Sequence, residues 1–189
     1  YADRYVDAWR TALSRLDIRR FEDLNHGVRI LETLTGGHAP LTRLLALVQE
    51  NTQLIPPASP DNEMAVAARA ALEASPHLGM LQDIQRQFAE LNQLTRARDD
   101  RPTNLDQVME VVTSLYQYLR NIQEAPDTGK AALSAARARL GLQGADPIFT
   151  LQRLADNQPA PLNRLLNRLA SESWRGVLDS AVAQLERGW

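Results

Sequence analysis

The stretch LDQVMEVVTSLYQYLRNI, residues 105–122, decides the fold class of this 189-residue chain. Its large apolar residues recur at intervals of 3, 4, 3, 4 and 3 residues. That spacing places them on one face of an α-helix, which turns once every ~3.6 residues. This apolar stripe consists of Leu105, Val108, Val112, Leu115, Leu119 and Ile122. The stretch predicts a helix from Pro102 to Gln123, about 33 Å long at ~1.5 Å per residue.

A second apolar stripe precedes the first and is interrupted by no proline or glycine. It consists of Leu81, Ile84, Phe88, Leu91 and Leu94, and the polar residues Thr95 to Thr103 connect it to the first. Two amphipathic helices joined by a short polar connection pack antiparallel at a shallow angle. The sequence therefore predicts a long, stiff, coiled-coil-like hairpin.

The rest of the chain continues the helical period, and no segment is typical of a strand or of a two-residue β-hairpin turn. Asp127 and Asp146 are predicted N-caps, and Gly36-Gly37 is predicted to end a helix in the left-handed conformation. The prediction is an all-α bundle of about seven to eight helices. Further amphipathic segments begin at Tyr1, Phe21, Pro40 and Lys130, near Phe149, and at Pro159-Ala160-Pro161, the last one running out to Trp189.

Residues 55–63 are predicted to be a proline-rich linker inside one helical domain that covers residues 1–189. Each proline removes a backbone donor and disfavours helix in the residue before it. The alanine-rich segment after it, Met64 to Glu73, has only Met64, Val66 and Leu72 to bury. A helix there is expected to gain little from packing.

Composition limits the partners of the chain. The formal net charge is −2, and the positive charge is almost entirely arginine, because Lys130 is the single lysine. Such a balance offers no broad basic surface, so nucleic acid is not an expected partner. No apolar run approaches the roughly 18–20 residues of a membrane span, so no membrane contact is expected within this segment. The chain contains no cysteine, which leaves the redox compartment open.

The residues that resemble chemical motifs favour structural interpretations. Thr128-Gly129-Lys130 lacks the glycine and the hydroxyl that a phosphate-binding loop requires, because Glu124 and Ala131 occupy those positions. The histidines at positions 26, 38 and 77 lie on separate elements without a metal-ligand spacing. Asp99-Asp100 lies in an arginine-rich turn, where carboxylates stay ionised. We therefore predict no catalytic, cofactor-binding or metal-binding residues. Trp9 and Trp174 are expected in the core and Trp189 at the surface.

One sequence element occurs twice. Ala39-Pro40-Leu41-x-Arg43-Leu44-Leu45 returns as Ala160-Pro161-Leu162-x-Arg164-Leu165-Leu166. In each copy the proline suits the first turn of a helix. The repeat indicates a reused scaffold element, although two such helix starts could also present free N–H groups to an acidic partner or a glycan.

The order of these features resembles the periplasmic part of the IcmF/TssM family, the large inner-membrane component of type VI secretion systems. The resemblance covers most of the chain except residues 55–63 and 64–75. It rests on motifs of aromatic, apolar and proline residues, which are Tyr1-x-x-x-Tyr5-x-x-x-Trp9 with Leu13, Leu34 with Ala39-Pro40-Leu41 and Leu44-Leu45, Asn51-Thr52-x-Leu54, and Pro159-x-Pro161-Leu162 with Leu165-Leu166 and Leu169.

The resemblance implies a non-enzymatic helical scaffold in the periplasm, without cofactors, cut from a longer inner-membrane protein. The implied partners are a TssL-like inner-membrane protein, copies of the same chain, and a TssJ-like lipoprotein that is gripped mainly by a downstream β-rich domain. The alternative is a periplasmic module that contacts a partner protein or a glycan directly. Fold likeness alone does not establish an activity, so these remain expectations.

Overall fold

The computed structural model describes residues 2–37, 39–56, 63–96 and 101–187. These residues form ten helices and contain no strand, which confirms the all-α class and exceeds the predicted seven to eight helices. The helices are α1 (Ala2–Ser14), α2 (Leu24–Thr35), α3 (Pro40–Thr52), α4 (Glu63–Glu73), α5 (Leu78–Gln87), α6 (Ala89–Leu94), α7 (Asn104–Gln123), α8 (Thr128–Leu140), α9 (Pro147–Ala155) and α10 (Leu162–Arg187).

Three helices begin at an aspartate N-cap. Asp23, Asp127 and Asp146 each accept a hydrogen bond from the backbone N–H three residues further on. An N-cap carboxylate satisfies one of the amide groups that the first turn leaves without a partner. The two caps expected from sequence, at positions 127 and 146, are confirmed.

The chain folds as two compact units, the first formed by residues 1–15 and 41–104. Within it, the hydroxyl of Tyr5 on α1 donates to the carbonyl oxygen of Asn51 on α3 at 2.7 Å. Thr52 and Asn92, both buried, join α3 to α6 through a hydrogen bond of 3.0 Å. Arg10 on α1 donates to Gln87 on α5. Polar contacts of this kind specify how the amphipathic helices of the unit align.

The helix α4 buries none of its side chains in the described structure. Met64 is 84% exposed, Val66 is also exposed, and Leu72 is half-buried. The sequence expectation that this segment gains little from packing is therefore confirmed.

The second unit comprises residues 16–40 and 105–189, and α10 is its central element, in contact with α2, α8 and α9. The whole predicted stripe of α7 is buried, and Leu115 and Leu119 have no exposed surface. Ile148, Leu151 and Leu166 are among the other best-buried residues of this core. Removing such apolar surface from water is the main stabilising contribution.

The predicted hairpin divides between the two units. Residues 81–94 belong to the first unit and residues 105–122 to the second. The first segment is also two helices, α5 and α6, because the backbone leaves helical geometry at Phe88, whose φ and ψ are −114° and 11°. The pairing of the two stripes stays a prediction, as does the single domain.

Two local expectations were wrong. The helix α2 does end before Gly36-Gly37, but Gly36 has φ −70° and ψ 177°, which is extended and not left-handed backbone. Trp9 and Trp174 are half-buried and not core residues. The aliphatic side chains fill the core, and the larger indole rings lie at its edge.

Of the linker 55–63, the structure describes Ile55 and Pro56, which are not helical, and Glu63, which begins α4. Residues 57–62 lie outside the described part of the chain.

Candidate interaction surface

The helix α9 has a buried face and an exposed face. Ile148, Leu151 and Ala155 are buried, whereas Phe149 is 52% exposed. Thr150 and Arg153 are exposed beside it. The sequence predicts a short helix that contains Phe149, Leu151 and Leu154, and α9 confirms it. Within this helix Ile148, one position before Phe149, takes the inward-facing position.

The connection from α8 to α9 exposes apolar side chains. Leu140 is 76% exposed and Leu142 is 94% exposed. Leu142 also has φ 53°, a left-handed conformation that costs a leucine roughly 1 kcal/mol or more. Gly144, with φ 79°, adopts the same region without that cost. A large apolar residue is thus held in a strained and exposed position.

Three open grooves meet at Thr150. The first, of about 530 Å³, lies between α7 and the start of α9 and includes Val111 and Tyr118. The second, of about 360 Å³, follows α9 past Phe149 to Arg153. The third, of about 320 Å³, lies between the α8–α9 connection and α9, where Leu142 and Phe149 line it together. We call this continuous surface the α9 furrow, defined by Val111, Tyr118, Leu142, Phe149, Thr150 and Arg153.

One ion pair is built into the floor of the α9 furrow. Arg139 Nη1 lies 2.6 Å from Asp146 Oδ1, and its guanidinium stands 4.6 Å from the ring centroid of Trp174. Asp146 at the same time caps α9. Both charges are therefore engaged within the chain. The pKa of Tyr118 is raised, first by burial and then by the negative charge of Asp146, against a smaller lowering by Arg139.

Arg153 is the charged side chain of the α9 furrow that the Arg139–Asp146 pair leaves without an ionic partner. Its guanidinium lies 5.9 Å from the ring centroid of Phe149, a cation–π geometry, and no carboxylate of the described residues lies within ion-pair distance of it. The α9 furrow therefore combines exposed apolar side chains with one uncompensated positive charge.

The polar groups of the α9 furrow do not form a reactive arrangement. The hydroxyl of Thr150 donates to the carbonyl oxygen of Asp146 at 2.9 Å, and that of Ser114 donates to Glu110 at 3.0 Å, so both are bonded within their own helices. A nucleophile requires a neighbouring base, and the raised pKa of Tyr118 keeps its phenol protonated. This surface is suited to binding.

The residues that the sequence singled out lie elsewhere. Thr128-Gly129-Lys130 forms the first turn of α8, with its Lys130 amide bonded to Asp127. His26 accepts a hydrogen bond from the Glu22 amide at 3.1 Å, and His77 precedes α5. No group of three or more potential metal ligands occurs among the described residues. His38 and Asp99-Asp100 lie outside that part of the chain, as do Tyr1 and Trp189.

The two copies of the repeated element both lead into helices, α3 at Pro40 and α10 at Leu162. At the second copy the amides of Asn163, Arg164 and Leu165 already have acceptors within the chain. These three N–H groups are therefore not available to a ligand at this turn.

A buried carboxylate holds the segment before α2 against α10. Glu172, 5% exposed, accepts hydrogen bonds from the Phe21 amide at 2.9 Å and from Arg175. Arg175 also donates to the Phe21 carbonyl oxygen. Burial acts to raise the pKa of Glu172, but the hydrogen bonds from Arg175 and Phe21, with the charges of Arg175 and Arg168, outweigh it, so the pKa lies below its ordinary value of 4.5.

Sequence reasoning missed the α9 furrow because it found no apolar residue surplus to the core. One signal was present: Leu142 lies between two glycines, Gly141 and Gly144, in a predicted turn and belongs to no helical period. A large apolar residue in such a position has no core to enter.

Comparison with known proteins identifies a family match in the amino-terminal part of the chain. Residues 1–53 match the family model IcmF-related, described as intracellular multiplication and human macrophage-killing. The chain is thus similar to the IcmF-related family over 53 of its 189 residues. The matched residues contain α1, α2 and α3. They include the Tyr5 and Asn51 pair, whose hydrogen bond joins two of the motifs behind the resemblance.

A search of the curated proteins and a search of the solved structures gave no significant match. The family match indicates a component of an IcmF-type secretion system. Among the described helices none combines the length and the apolar character that crossing a membrane requires.

Proposed function

We propose that this chain is a non-enzymatic structural component of a type VI secretion membrane complex. In this proposal it is a periplasmic helical scaffold that links the inner-membrane anchor to a carboxyl-terminal lipoprotein-binding domain. The observation that carries the proposal is the match of residues 1–53 to the IcmF-related family. The helical build of the described residues, with buried apolar side chains in each unit, supports it, because a helix maintains a fixed spacing between its own ends.

The proposed partners are a TssL-like inner-membrane protein, further copies of the chain, and a TssJ-like lipoprotein reached mainly through the downstream domain. The alternative, direct binding at the proline-led helix starts, receives no support from α10, where the amides of Asn163, Arg164 and Leu165 are bonded within the chain. Enzymatic activity likewise lacks support, since the α9 furrow holds no paired nucleophile and base.

The location of the segment can be tested with single cysteines in a full-length protein whose cysteines outside these 189 residues are replaced by serine, because the segment itself has none. Met64→Cys and Leu142→Cys place a thiol at exposed positions, and Leu115→Cys is the buried control. In intact cells with a permeabilised outer membrane, a maleimide that cannot cross the inner membrane should label the first two variants of the full-length protein. Labelling that needs lysis of the inner membrane would contradict the periplasmic assignment.

The scaffold role is tested by measuring lipoprotein affinity twice. The purified chain and a version extended through the downstream domain are titrated with the cognate outer-membrane lipoprotein. The proposal expects binding by the extended version alone. Equal affinities would place the lipoprotein contact within residues 1–189 and replace the scaffold by a receptor.

A further inference from the structure

We infer that the α9 furrow is a docking site for an acidic protein segment that carries a large apolar side chain beside a carboxylate. It is argued from residues outside the family match, so it stands or falls separately from the secretion assignment. Its elements are an apolar pair, Leu142 and Phe149, and one cation, Arg153, on a continuous open surface.

The exposed apolar residues of the α9 furrow lie next to each other and are not isolated on the surface. Single exposed apolar residues are normal at protein surfaces, whereas contiguous apolar surface with a polar rim marks interaction sites. Leu142 and Phe149 line the same groove from different elements, one from the α8–α9 connection and one from α9. Leu142 is 94% exposed at φ 53°, so neither burial nor backbone preference accounts for it. Contact with a partner would cover it.

The positive charge of the α9 furrow favours an acidic partner. Of the charged side chains that line the three grooves, Arg139 and Asp146 are paired with each other at 2.6 Å, which leaves Arg153. The Phe149 ring lies beside its guanidinium, and an arginine positioned in this way presents its donor fork to a carboxylate. A partner with carboxylates beside its apolar side chain complements this surface, and a basic partner does not.

The shape of the α9 furrow favours a macromolecular partner over a small molecule. Small-molecule sites are concave and enclose most of their ligand. Here three open grooves share Thr150 and extend from Val111 on α7 to Arg153 and to Leu142. A protein segment can occupy successive grooves along such a surface with successive side chains.

A pair of synthetic peptides tests the charge and the apolar contribution together. The first has leucine and phenylalanine on one face and flanking glutamates, and the second has lysine in place of each glutamate. Binding to the purified chain is followed by fluorescence anisotropy at moderate salt. The glutamate peptide should bind at least about tenfold more tightly than the lysine peptide.

The variants are chosen in matched pairs. Arg153→Glu should invert the peptide preference, whereas Arg43→Glu, an exposed arginine on α3, should leave it unchanged. Phe149→Ser and Leu142→Ser should each weaken the glutamate peptide by about tenfold, whereas Leu185→Ser, 45% exposed on α10, should not. Every substituted side chain is exposed, so all variants are expected to fold. Thermal melts check that no loss of binding is caused by unfolding.

Three outcomes would overturn the inference. Equal affinity for both peptides, unchanged in Arg153→Glu, would make the contact unspecific and apolar. Self-association of the chain that Leu142→Ser abolishes, seen by sedimentation without peptide, would make the surface an interface between copies. Tight binding to anionic lipid vesicles, lost in the same variants and without saturable peptide binding, would assign it to a membrane surface.

Discussion

The carboxylate of Glu172 accepts the backbone N–H of Phe21 at 2.9 Å, across 151 residues of sequence. Arg175 binds the same carboxylate and the Phe21 carbonyl oxygen, so both backbone polar groups of Phe21 are satisfied by α10. The ring of Phe21, 1% exposed, packs directly beside Gly27 on α2. A buried polar contact and a close apolar contact thus fix the same residue.

Glu172→Ala should destabilise the second unit by about 2–4 kcal/mol, because it leaves the buried Phe21 amide without its acceptor and removes one of the two carboxylates that pair with Arg175. The measurement is urea unfolding followed by circular dichroism. Asp179→Asn is the control: this carboxylate, with its side chain 64% exposed, also pairs with Arg175, and its loss should cost less than about 0.5 kcal/mol. Equal decreases in the free energy of unfolding of the two variants would show that the burial of Glu172 does not contribute to stability.

The free energy of unfolding should depend on pH through the ionisation of Glu172. Its pKa is lowered in the folded state, so its contribution is present above the ordinary value of 4.5 and is lost as the pH falls through the folded pKa. Urea midpoints of the wild type and Glu172→Gln should therefore differ most near neutral pH. The difference should shrink on acidification, because protonated glutamic acid resembles glutamine. A Glu172→Gln variant more stable than the wild type near neutral pH would mean that the folded pKa is raised instead.

Gly27→Ala should destabilise the protein, although alanine is the better helix former. A Cβ at position 27 would lie 2.5 Å from Cδ2 and 2.7 Å from Cε2 of the Phe21 ring, which is 1% exposed. Overpacking of this kind costs about 1–3 kcal/mol, more than the ~1 kcal/mol gain in helix propensity.

Gly79→Ala is the matched substitution, since no atom lies within 4 Å of a Cβ built there on α5. It should leave stability unchanged or raise it by up to about 1 kcal/mol. Thermal melts of the two variants should shift in opposite directions, and a parallel shift would contradict the packing of Phe21 on α2.

Leu115→Ala should cost about 2–5 kcal/mol, because this leucine of α7 has no exposed surface and its truncation leaves a cavity. Leu142→Ala makes the same chemical change at a position that is 94% exposed, and it should be neutral or slightly stabilising, since alanine removes an exposed apolar side chain. The check is the midpoint of urea unfolding. A small loss at position 115 would place the α7 stripe outside the core.

The predictable part of the fold was the part that depends on near neighbours. The stripe of α7 is buried as its spacing predicted, and Asp127 and Asp146 cap the helices that follow them. The break at Phe88 and the extended Gly36 were not predictable, because the same residues suit an unbroken helix and a left-handed turn equally well. Helix boundaries depend on tertiary contacts that propensity does not contain.

The α9 furrow illustrates the limit for a site. The sequence places Phe149, Leu151 and Leu154 in one helix without deciding which of them faces inward, and in the structure Ile148 and Leu151 reach the core while Phe149 is exposed. A short helix with apolar residues on most of its surface has two possible inward faces. Only the packing of α9 against α10 selects one of them.

By itself, the sequence determined that the chain is helical, where the strongest helix caps are, and which stripe of α7 is buried, since periodicity and capping act within one or two turns. It also carried the family match of residues 1–53. The tertiary structure alone decided that Glu172 meets Phe21, that Gly27 must lack a side chain, and that Leu142, Phe149 and Arg153 share one surface. Those relationships join residues from separate helices and connections, so they exist only once the helices have packed around α10.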